Sequence, residues 1–133
     1  IVKDVIMRMQ KTFRDIVKKD GTFIAPDDFS EVIDNGKAFI DPGVKMGEGW
    51  LLTGEVVSLI KSGVTNVISA QPFGCLPNHI VAKGMVRKIK DEYPKANIVA
   101  IDYDPSASKV NQENRIRLML ANAKLSEEMK ASI

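Results

Sequence analysis

The chain has 133 residues, 44% of them hydrophobic and 27% charged, with a formal net charge of +2. That is enough for one domain with a core, and too little charge to argue for nucleic acid or an anionic membrane as a partner. No apolar run reaches bilayer length, and a single cysteine excludes an internal disulfide framework and suits a reducing cytosol.

Val2, Val5, Ile6, Met9, Phe13, Ile16 and Val17 recur at spacings of three and four. They predict an amphipathic helix, ended by Gly21 after Lys18 and Lys19. The same residues make Ile1 to Gln10 charged and periodic, unlike the apolar core of a signal peptide. A chain that begins at Ile1 and not at Met is expected to be a piece of a longer protein. Pro26-Asp27-Asp28 reads as a helix start. Phe29, Val32, Ile33, Phe39 and Ile40 form a weaker stripe, interrupted at Asn35-Gly36 and closed by the turn Asp41-Pro42-Gly43.

Gly47 to Trp50 opens a helix with Leu52, Val56, Leu59 and Ile60 on one face, stopped by Gly63. Gly47 and Gly49 are followed by neither a phosphate-loop lysine nor a full dinucleotide fingerprint, so no nucleotide site is read there. Val64–Ala70 is an apolar, β-branched strand. Asn78 is expected to cap a helix from about His79 to Glu92, and Pro94 ends it. A second strand covers Ala96–Tyr103. Asp104-Pro105 then reads as a cap with proline at the first helical position, before a last helix over roughly 106–123 and a polar tail.

This alternation predicts parallel strands joined by a right-handed crossover. The expected fold is α/β, a three-layer Rossmann-like domain with a small parallel sheet, strands near 64–70 and 96–103. Residues 1–45 are expected as a helical segment packed on the α/β subdomain 46–133. Two strands make a poor sheet. Either 22–25 or 37–46 holds another strand, or further sequence or subunits complete it. Val67, Ile68, Val99 and Ile101 are the expected core of the sheet.

Chemistry concentrates in Gln71-Pro72-Phe73-Gly74-Cys75-Leu76-Pro77-Asn78-His79, which carries the only cysteine and the only histidine. It leaves the carboxyl end of a strand, where open α/β sheets place ligands. By position, Cys75 reads either as a small half-buried apolar residue or as a thiolate near a helix N-terminus. His79 reads as a neutral imidazole bonded to a loop carbonyl, with a base for Cys75 as the alternative. Asp102 ends the second strand, and Asn111 and Asn114 lie near the apolar stripe of the last helix. One crevice is expected to gather Cys75, His79, Asp102 and Asn111 or Asn114.

Four segments in order carry a resemblance: Gly47-Glu48-Gly49-Trp50-Leu51-Leu52-Thr53-Gly54-Glu55, the Gln71–His79 loop, Ala96 to Pro105, and Asn111-Gln112-Glu113-Asn114-Arg115-Ile116. Together they resemble the C-terminal part of the activase-related proteins of the 2-hydroxyacyl-CoA dehydratase group, over about residues 40–124. The resemblance implies a cytoplasmic, mostly anaerobic iron–sulfur system in which an ATP-hydrolysing activase passes an electron to a dehydratase component. It makes Cys75 a ligand of a four-iron cluster, and the strand-end crevice adds His79, Asp102, Asn111 and Asn114 as candidate cofactor-binding residues. Partners would be other domains or subunits of that system and an acyl-CoA, with no nucleic acid and no membrane. One cysteine does not hold a four-iron cluster, and the activase's ATPase motifs are absent. The chain alone is therefore expected to carry neither cluster nor activity. The alternatives are a CoA-binding or domain-assembly module with a structural Cys75, and a small enzyme using Cys75 and His79.

Overall fold

The computed structural model describes every residue except Met46, Ser106, Ser132 and Ile133, and the side chain of Lys130. The chain forms two compact units, Ile1–Glu31 and Val32–Ile133.

The first unit is α1 (Val2–Asp20) with the segment that follows it. Gly21 ends the helix at φ 74°, a left-handed conformation open to glycine, and its N–H returns to the Val17 carbonyl at 3.2 Å. The following segment is tied back by Arg14 Nη1 on Asp28 Oδ2 at 3.0 Å. Asp28 also accepts the Ser30 N–H at 2.9 Å, so it caps the start of α2 (Phe29–Lys37). The Ser30 backbone bond, then the Ser30 side chain, then Arg14 hold the Asp28 carboxyl below its ordinary pKa. No α1 residue is buried, and Val2, Val5, Ile6, Met9, Phe13 and Ile16 all stay exposed.

In the second unit the end of α2 crosses α3 (Gly49–Lys61) at two glycines. A Cβ on Gly54 would collide with the Val32 carbonyl, and one on Gly36 would press the Trp50 carbonyl at 3.2 Å. The close crossing also lets Asn35 Nδ2 reach Ser58 Oγ at 2.8 Å, and Lys61 Nζ reach Asn35 Oδ1 at 2.6 Å. Residues 32–45, grouped by sequence with the N-terminal helices, thus belong to the α/β unit.

Gly63, at φ 98°, turns the chain from α3 into β1 (Asn66–Gln71). A loop leads to a π-helical turn, Pro77–Ala82, which runs straight into α4 (Lys83–Glu92). β2 (Asn97–Asp102) follows, then α5 (Lys109–Ala131). β1 and β2 pair in parallel, from Asn66 opposite Asn97 to Gln71 opposite Asp102. Among the described residues the molecule is a mixed α/β protein with a two-stranded open sheet. Neither 22–25 nor the described part of 37–46 forms a strand.

Alternation assigns the faces. Val67 and Ile98 point into the core with Phe39, Val57, Ile89 and Ala96. Ile101 is fully buried, whereas Ile68 is 46% exposed, against expectation. Ile68 and Ile101 share the face opposite Val67, where α5 packs against β2 and covers Ile101, while β1 at the open rim leaves Ile68 exposed.

The two rims of the sheet differ. Asn97 N–H bonds the Thr65 carbonyl and Tyr103 N–H the Gln71 carbonyl, so the backbone groups of residues 98, 100 and 102 face away from β1. α5 seals that rim. Arg115 Nη1 donates to the Ala100 carbonyl at 3.0 Å, and Gln112 Nε2 to the Asp102 carbonyl at 2.8 Å. The same phasing turns residues 66, 68 and 70 outward on β1, where no strand pairs with them among the described residues.

Candidate functional site

The carboxyl ends of both strands meet the loop that precedes the π turn. Gln71 and Asp102 are register partners on the core face, and Gln71 Nε2 donates to Asp102 Oδ1 at 2.7 Å. Gln71 is only 2% exposed, and its Oε1 is buried with no partner among the described residues. Sequence reasoning passed over Gln71. Its signal was parity, since counting by two from Val67 puts it on the buried face.

The π turn brings His79 to the same amide. His79 Nδ1 lies 3.2 Å from the Cys75 carbonyl, which also accepts the His79 N–H at 2.9 Å. A carbonyl only accepts, so Nδ1 carries the proton. In the neutral ring Nε2 then accepts from Gln71 Nε2 at 3.4 Å. Asp102 Oδ1 lies 3.8 Å from the same Nε2, a pairing that takes effect only in the imidazolium. The arrangement is a chain: Cys75 carbonyl, His79 ring, Gln71 amide, Asp102 carboxylate. Phe73 sets its ring edge-on to His79 with centroids 6.0 Å apart.

Cys75 is half-buried and free. Asn78, expected to cap a helix, lies inside the π turn and directs Nδ2 at Cys75 Sγ, 3.1 Å away. Pro77 stands at the first position, where its missing N–H costs nothing. No hydrogen bond joins the His79 ring to Cys75 Sγ among the described residues, since the imidazole is engaged by the Cys75 carbonyl. That geometry offers no imidazole-activated thiol.

Asp104, read as a helix cap, accepts the Phe73 N–H at 2.9 Å and ties the two loops together. α5 starts later, at Lys109, and continues through the tail to Ala131. Ser106, the expected start of that helix, lies outside the described residues. A cavity of about 380 Å³ opens beside the network, with Phe73, Asp102, Asp104, Asn111, Gln112 and Arg115 in its wall. Asp102 and Asn111 therefore share a cavity, and Cys75, His79 and Asp102 share a hydrogen-bond network. Asn114 is exposed and lines neither.

Among the described residues no group of three or more His, Cys, Asp or Glu is placed to hold a metal ion. No helix among them is long and apolar enough to cross a membrane. Comparison with protein-family models, curated proteins and solved structures finds no match to this chain.

Proposed function

We propose that the α/β unit supports an iron–sulfur cluster in a protein of the 2-hydroxyacyl-CoA dehydratase and activase type, contributing Cys75 as one ligand. The observation that carries this reading is the Asn78 amide N–H on Cys75 Sγ at 3.1 Å. A donor aimed at sulfur stabilises negative charge on it, as hydrogen bonds to ligating thiolates do. Pro72 and Pro77 stiffen the loop, so the sulfur is held in place beforehand.

The residues fit one corner of such a site. One thiol is available, so the remaining ligands come from other domains or subunits. A cluster, when bound, supplies one-electron chemistry. This chain's own residues hold the sulfur, through Asn78, and brace its loop, through His79 on the Cys75 carbonyl. On this reading the fold is the three-layer Rossmann-like domain, its small sheet completed by further sequence or by subunits, and the protein works in an anaerobic cytoplasm. An acyl-CoA is the small-molecule partner that this reading expects.

Anaerobic reconstitution of the complete protein, wild type against Cys75→Ser, tests the proposal. The expected result is loss of bound iron or an altered electron paramagnetic resonance signal in the variant. Equal iron content with an unchanged spectrum would sink the ligand assignment.

A further inference from the structure

We infer that the outer edge of β1 is a docking edge for β1 of a second copy of this chain, related by a two-fold axis through Ile68. The inference rests on the open edge and is independent of the cluster reading.

Three observations carry it. The backbone groups of Asn66, Ile68 and Ala70 face outward in a row, and the natural cover for such a row is another strand. The opposite rim of the same sheet is closed by Gln112 and Arg115, so growth is one-sided. β1 reads Asn-Val-Ile-Ser-Ala-Gln, without a charge or a proline. Open edges are usually blunted by lysine, proline or a bulge, and this one carries none of these, while Ile68 stays 46% exposed.

The edge is also self-complementary. Outward groups at 66, 68 and 70 are centred on 68, so an antiparallel partner places Ile68 opposite Ile68 and Asn66 opposite Ala70. Each of these is a hydrogen-bonded pair, and the buried faces of both copies stay on one side of the joined sheet. With no charge on either strand, two copies meet without repulsion, and the isologous contact closes at two.

Sedimentation across a concentration range is the first test, with wild type expected at the mass of two 14.7 kDa chains. Ile68→Lys sets like charges against each other at the axis, and Ala70→Pro removes an outward N–H that β2 does not use. Both should halve the observed mass while keeping the far-ultraviolet spectrum. The register is read by oxidation in a Cys75→Ser background. Hydrogen-bonded antiparallel pairs stand about 5.5 Å apart at Cα, within disulfide reach. Ile68→Cys should therefore cross-link two chains, whereas Ser69→Cys, turned to the other face, should not. A monomeric wild type, a dimer untouched by both edge variants, or cross-linking through 69 in place of 68 would each overturn the inference.

Discussion

Gln71 shows how one buried amide organises a rim. Its Nε2 serves Asp102 and faces His79, fixing the orientation of the ring whose other nitrogen holds the Cys75 loop. Replacing it with leucine leaves the Asp102 carboxylate without its closest donor and frees the imidazole. Gln71→Leu should cost about 1–3 kcal/mol, the usual penalty for breaking a buried polar pair. Urea unfolding checks this, and a change within experimental error would mean that the network is incidental to stability.

At the scale of elements, the cap of α2 gives a pH dependence of known sign. Asp28 is held below its ordinary pKa by Ser30 and Arg14. Near that value the unfolded chain binds more protons than the folded one, so stability rises with pH. The contribution is complete above the unfolded value, roughly pH 4, and is lost as pH falls through the folded one. Asp28→Asn keeps a capping oxygen and removes the titration. Urea midpoints measured from neutral pH into acid should fall less steeply in the variant, and identical slopes would remove Asp28 from the account.

Much of this level was legible in the sequence. Both strands, their parallel sense, α1 and the glycine stops at 21 and 63 follow from periodicity and backbone chemistry. Four features were not. The α2–α3 crossing depends on two glycines that sequence reads only as helix weakeners. Ile68 looks like core, yet α5 covers its face only over β2, where Ile101 is buried. Asn78 and Asp104 look like helix caps, yet one also reaches the Cys75 sulfur and the other accepts the Phe73 N–H across the two loops. Each depends on which neighbours the folded chain brings to the residue, and helix and strand propensities do not encode that.

Across the whole molecule, apolar side chains do two different jobs. Val57 is fully buried in the sheet-side core, whereas Phe13 on α1 is 64% exposed. Val57→Ala should destabilise by about 2–3 kcal/mol through transfer and cavity costs. Phe13→Ala should stay within about 0.5 kcal/mol. Equilibrium denaturation of both variants separates them, and a larger loss at Phe13 would show that its ring is covered in solution.

The π turn at Pro77–Ala82 has a consequence for helical phase. Its closing bond, from the Lys83 N–H to the Asn78 carbonyl, spans five residues where an α-turn spans four. The side chains before it are thus out of step by one position with those after it, a rotation of about 100° around the axis. Asn78 and His79 take their direction from the first phase, and Val86 and Ile89 from the second. Removing a single residue between Ile80 and Ala82 would restore one continuous phase. Every site side chain would survive such a deletion, but the core and the rim could no longer both face their partners.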